Sequence, residues 1–117
     1  MKLDRKHKQM KYYYTGTRKG QILHAKLRMQ CSNLNDHMVK QYLQENRECE
    51  CGLGSETNEH YLLKCPRFNR ARHHLNNLEM SFDSNSLLFG DENLSFEQNN
   101  QIFLAVQKFI IESRRFE

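Results

Sequence analysis

The run Cys49-Glu-Cys51-Gly52-Leu-Gly54, followed by His60 and then Cys65-Pro66, constrains this chain more than any other feature, because it places three of the four cysteines and a histidine within 17 positions. Thiolates with one imidazole are the donor set of a closed, tetrahedral structural zinc site. Cys49 and Cys51 are two apart, so on an extended strand both point to one face. Gly52 and Gly54 allow the chain to reverse beneath them. His60 and Cys65 are five apart and would not share a helix face. The residue before a proline is pushed out of the helical region, so Cys65 can swing back from a short His60–Lys64 turn. The spacing predicts one zinc held by Cys49, Cys51, His60 and Cys65.

Other uses of these cysteines fit less well. Three thiols leave an odd one in any disulfide scheme, and Cys49 and Cys51 are badly placed to bridge each other. A redox dithiol carries two residues between its cysteines, and here there is one. A catalytic zinc keeps an open position that a Cys3His set fills. Three buried cysteines with a surface histidine is the plain alternative, but Glu48, Glu50 and Glu56 surround the cluster with charge. Cys31 reads as a small buried hydrophobe at a helix junction.

At 117 residues the chain is one domain or part of one. No apolar run approaches a membrane span, and the basic N-terminus lacks the apolar segment of a signal peptide. Reduced thiols fit an intracellular setting, nucleus or cytoplasm. Residues 1–30 carry nine Lys/Arg against Asp4 alone, whereas residues 31–65 carry three basic and six acidic side chains. Such a head, interrupted by Tyr12, Tyr13 and Tyr14, suits phosphate contacts with stacking platforms between them. A solvated arm whose tyrosines pack as a strand is the competing account. The candidate contacts are Lys8, Lys11, Tyr13, Arg18 and Lys19 in the head, with Arg67, Arg70 and Arg72 beside the metal segment.

The pattern predicts a mainly α fold: a small helical domain over 12–117, with the zinc knuckle (48–66) between its second and third helices and a disordered basic arm over 1–11. Tyr12–Tyr14 has strand propensity. Arg18–Gln30 reads as a helix, with Ile22, Ala25 and Met29 on one line and Leu23 and Leu27 beside it. Asn33 would cap a second helix carrying Leu34, Met38 and Tyr42. Pro66 suits the first position of a third, where Phe68, Ala71, Leu75 and Leu78 form an apolar seam and the arginines a basic flank. His73 and His74 are expected to be exposed and metal-free. Residues 79–94 read as a linker tethered by Leu87, Leu88 and Phe89. Ser95 with Gln98 is a capping-box pattern opening a last helix over 96–113, whose Ile102, Val106, Phe109 and Ile110 would face a core or a partner. No phosphate loop, catalytic triad or paired carboxylates stand out, so the chain reads as non-enzymatic.

These residues together resemble a known family. Tyr12-Tyr-Tyr14 with Gly16 and Arg18, Gln21-Ile-Leu-His24, Leu27-Arg28 and Cys31-Ser-Asn-Leu-Asn35 are similar to the extreme C-terminal region of the reverse-transcriptase polyprotein of non-LTR (LINE-type) retrotransposons of invertebrate genomes. So are the Cys49/Cys51-Gly52/Glu56-Thr57/His60/Cys65-Pro66 segment, Arg72, and the closing Ile102-Phe103, Ala105-Val106, Phe109-Ile110 and Arg115-Phe116. The resemblance implies a Cys-Cys-His-Cys knuckle, lying downstream of a polymerase, that helps bind RNA or DNA, single-stranded or at a template/target junction. It implies the reverse-transcriptase core of the same polyprotein as an original partner, and no membrane. The polymerase's aspartate-pair motif and any endonuclease are absent, so the chain is expected to be a fragment or remnant unable to copy RNA. A structural module in which zinc staples helices and residues 102–110 dock a protein is the alternative.

Overall fold

An 18-residue helix organises the molecule. In the computed structural model, which describes residues 10–117, it spans Phe96–Ser113. The Ser95 side chain accepts from the Gln98 amide, and Gln98 reaches back to Ser95, so the expected capping box forms. Ile102, Phe103, Val106, Phe109 and Ile110 are buried along it. The preceding helices are α1 (Arg18–Arg28), α2 (Asn35–Lys40), α3 (His73–Asn76) and α4 (Ser84–Phe89), which makes the long one α5. α1, α3, α4 and a 3-10 turn over Met10–Tyr14 all pack on α5. The described residues form a mainly helical small domain without strands; Glu48 and Ser55 make one isolated bridge.

The tyrosine run is a 3-10 turn, not a strand, because its rings pack locally on α5 and find no strand partner. Tyr12 stands edge-on to Phe103 at 4.9 Å, and Tyr13 lies stacked on the same ring at 5.3 Å. Both hydroxyls donate to the Phe89 carbonyl. The expected arm over 1–11 falls mostly outside the described residues.

α1 is turned differently from its hydrophobic pattern. Gly20, His24 and Leu27 are buried, whereas Ile22 and Met29 are exposed. His24 faces inward because its Nε2 donates to the Leu87 carbonyl at 2.8 Å while its ring meets Phe103. A polar side chain with a buried partner thereby displaces an apolar one from the core. α2 is shorter than expected. Asn33 does not cap it; Ser32 Oγ accepts from the Leu34 amide instead, and Tyr42 lies beyond the helix at φ +60°, almost fully exposed. Cys31 is exposed, not buried.

The third helix is broken. Pro66 does take the first position, but of a 3-10 turn over Pro66–Phe68, and α-helical geometry appears only at His73–Asn76. The seam survives: Phe68, Ala71 and Leu75 are buried, with Leu78 packed at its end. The expected linker contains a helix, α4, opened by a reciprocal Asp83–Ser86 cap that the Ser/Asn-rich composition conceals. Its Leu87 and Leu88 are buried and Phe89 is partly exposed. Gly90 ends it at φ +79°, where an added Cβ would stand 2.7 Å from the Tyr12 ring. A side chain is excluded there by both conformation and space.

Candidate metal centre

The knuckle is assembled from two short pieces. Cys49 opens a tight reversal and Cys51 lies within it, not on an extended strand: the Cys49 amide donates to the Gly54 carbonyl at 2.8 Å and the Gly52 amide to the Cys49 carbonyl at 3.0 Å. Gly52 (φ +77°) and Gly54 (φ +145°) have open space around them, so it is the backbone conformation that requires glycine. The second piece is one π turn over His60–Lys64, started by Thr57 Oγ1 accepting from the His60 amide. It closes with the Cys65 amide on the His60 carbonyl at 2.7 Å. Cys65 then leaves the helical region at φ −64°, ψ 121°, immediately before Pro66. This wider turn, with the pre-proline exit, brings residues five apart to one point.

The four donors meet. Cys49 Sγ lies 3.7 Å from Cys65 Sγ, and Cys51 Sγ lies 3.2 Å from His60 Nε2. All four ligand atoms fall within 4.8 Å of one another. Two thiolates on one tetrahedral ion at about 2.3 Å stand about 3.8 Å apart, so the observed separation suits a shared metal. A disulfide is far shorter, and all four cysteines are free. The cluster could hold one metal ion. Cys31 takes no part in it.

A second layer surrounds the donors. Arg67 Nη2 donates to Cys49 Sγ at 3.2 Å, and the Leu53 amide to Cys51 Sγ at 3.4 Å. Burial pushes the Cys49 thiol up. Burial opposes ionisation of Cys65 too, but hydrogen bonds from Arg67 outweigh it and hold that thiol below its ordinary range. The same Arg67 bridges to Glu56 Oε2 at 2.9 Å and to Glu50 Oε2 at 3.1 Å.

Glu56, to which sequence reasoning assigned no role beyond a charged surround and a place in the resemblance, is central to this layer. It is 1% exposed. Arg115, from the far end of the chain, grips it with both Nε (2.8 Å) and Nη2 (2.7 Å), and the Asn35 amide donates to it at 2.7 Å. Burial pushes its carboxyl up, but these hydrogen bonds and the two guanidinium charges prevail and hold it below the usual carboxylate range. The signal available in sequence was its co-occurrence with Arg115, which spacing cannot pair.

The candidate nucleic-acid contacts separate. Lys8 and the Lys11 side chain lie outside the described residues. Arg18, Lys19 and Arg70 are exposed. Arg67 is engaged as described. Arg72 is not on a solvated flank: it is 7% exposed, and its guanidinium donates to the carbonyls of Leu62, Tyr61 and Cys65 at 2.8–3.0 Å. These are carbonyls that the π turn and its exit leave without helical partners, so the arginine acts as their cap. Tyr13 is half-buried, with Phe103 against it and the Arg28 guanidinium 4.2 Å from its ring centroid. Tyr14 is the exposed tyrosine, at 77%.

No protein-family model matches the chain, and no curated protein or solved structure does. No helix among the described residues is long and apolar enough to cross a membrane.

Proposed function

We propose that the chain is a non-enzymatic nucleic-acid-binding module whose knuckle holds one structural zinc. The observation that carries the reading is the meeting of the ligand atoms of Cys49, Cys51, His60 and Cys65 within 4.8 Å of one another. Three thiolates and an imidazole favour zinc among abundant divalent ions, and four protein donors leave no open position. Arg67 would offset the net negative charge of three thiolates on a dication. The zinc would fix the knuckle, while the basic head, Arg18, Lys19 and Arg70 would meet phosphates and Tyr14 would offer a stacking face. This is the role that the likeness to the C-terminal end of LINE-type reverse transcriptases implies, with an intracellular RNA or DNA as partner.

A protein-docking module is the second reading, in the form of an apolar face over 102–110. Ile102, Val106, Phe109 and Ile110 are buried within the chain itself, under α1, α3 and α4. That face is not available, which favours the first reading.

Two measurements test it. The purified chain should contain one zinc, lost in Cys51→Ser, and chelation should unfold at least residues 48–66, because binding such a metal is folding free energy. A circular-dichroism melt unchanged by chelation would reject the structural role. Zinc-loaded protein should bind single-stranded RNA or DNA with an affinity that falls steeply with salt. Replacing Lys8, Lys11, Arg18 and Lys19 by Ala should lower the slope by up to about four, on the rule of roughly one per phosphate contact. Tyr14→Ala should weaken binding at constant slope, since stacking releases no counterions. Absence of binding at low salt would reject the nucleic-acid reading.

A further inference from the structure

A second constellation lies away from the knuckle. His73 and His74 open α3, and Glu112 sits in the last turn of α5. The Nε2 atoms of both histidines converge on the same carboxylate oxygen, Glu112 Oε2, at 3.1 and 3.3 Å. The two rings lie 3.9 Å apart between centroids, tilted by 38°. The three donor atoms all fall within 4.8 Å of one another.

We propose that His73, His74 and Glu112 form a second metal site, which takes an exchangeable divalent first-row transition ion. Two observations favour this over a simple hydrogen-bonded pair. The first is the separations. Donors about 2.0–2.1 Å from one ion stand about 3.0 Å apart when octahedral and about 3.3 Å apart when tetrahedral. The 3.1 and 3.3 Å spans lie on those edges, and the two imidazole donors fall within 4.8 Å of each other. The second is convergence: neighbouring residues on a helical turn normally point about 100° apart, yet both Nε2 atoms here are aimed at one oxygen on another helix. Two imidazoles and one carboxylate prefer zinc, nickel, copper or iron to magnesium or calcium, which take oxygen donors.

The two centres differ in kind. The knuckle offers four donors, three of them thiols with Cys49 and Cys65 buried. The second site offers three, with side-chain exposures of 52%, 22% and 45% for His73, His74 and Glu112. Water completes its coordination, so its ion binds more weakly and exchanges. Binding joins α3 to the end of α5, the helix whose following residues reach the knuckle through Arg115. An ion there therefore stabilises the chain by an amount that grows with the logarithm of its concentration over its dissociation constant.

The test uses the full chain loaded with one equivalent of zinc, titrated with zinc by calorimetry and with cobalt by absorption. Wild type should take a second ion, more weakly than the first and without the thiolate charge-transfer band that marks the knuckle. The H73A/H74A variant should take one ion only. Glu112→Gln should weaken the second ion at least tenfold, and excess magnesium should not compete. In wild type the Nε2 resonances of both histidines should shift with the second equivalent and not the first. One ion per chain, a second ion retained by H73A/H74A, or histidine resonances that do not respond would overturn the proposal. The thiolate band reports the knuckle separately, so loss of either site is distinguishable from loss of the other.

Discussion

His24 shows how one side chain can redirect a helix. The ring is 1% exposed, Nε2 is spent on the Leu87 carbonyl, and Nδ1 is buried with no partner among the described residues. Burial, with Arg28 nearby, lowers its pKa from 6.5 to about 3, so the imidazole is neutral in the folded chain. A base whose folded pKa is depressed contributes fully above its unfolded value and loses that contribution as pH falls. Stability should therefore fall between pH 6.5 and 3, by at most about 1.4 kcal/mol per pH unit from this group. His24→Gln should flatten that part of a chemical-denaturation profile measured against pH. A profile of unchanged steepness would show that the proton goes elsewhere. The sequence marked Gln21-Ile-Leu-His24 without revealing that the histidine faces inward, since its partner carbonyl is 63 residues away.

At the scale of elements, short pieces do the work that a continuous helix was expected to do. Between Pro66 and Asn76 the backbone passes from a 3-10 turn to α3. Yet Phe68, Ala71 and Leu75 still reach one core, where Tyr61 meets Phe68 at 5.1 Å and Phe109 at 5.0 Å. A 3-4 spacing of apolar residues survives a local change of helix type because it fixes only which side is inward. Leu75 is fully buried, so Leu75→Ala should destabilise the chain by about 2–5 kcal/mol, read as a lower denaturation midpoint at constant slope. An unchanged midpoint would place Leu75 outside the cooperative core. Arg72 belongs to the same element and was legible as a cation but not as a cap. Its role depends on carbonyls exposed by a π turn, and no residue pattern specifies that turn.

Across the whole molecule, the C-terminus is tied to the metal segment. Arg115 spans 59 residues to grip Glu56, and its Nη2 also donates to the Asn33 carbonyl at 2.9 Å. Phe116 adds an edge contact with Tyr61 at 5.5 Å. Glu56 in turn shares Arg67 with Cys49, so knuckle, α2 and the end of α5 form one polar network. Arg115→Ala would leave a buried carboxylate with Arg67 as its remaining cation. It should destabilise by about 3–5 kcal/mol, the usual cost of removing one partner of a buried pair. Thermal unfolding checks this, with zinc held in excess so that metal loss does not contribute. A shift of less than a degree would show the carboxylate resolvated at little cost.

The four donors of the candidate metal centre were legible in their spacing. Ligand donors must be close in space, and within 17 residues the turn residues Gly52, Gly54 and Pro66 allow it, although the π turn that brings His60 and Cys65 together is visible only in the structure. The α5 boundaries and the seam over 68–78 were equally local, written in a capping box and in periodicity. Tertiary structure decided what depends on distant partners. It chose which face of α1 turns inward, converted the tyrosine strand into a 3-10 turn against Phe103, buried Arg72, half-buried Tyr13 and engaged Arg67 with Glu56 and Cys49. It also brought His73, His74 and Glu112 to one point. The physical reason is that each arrangement depends on a partner distant in the chain, whose position carries no local signal; for His24 and Arg72 that partner is what a buried polar group requires.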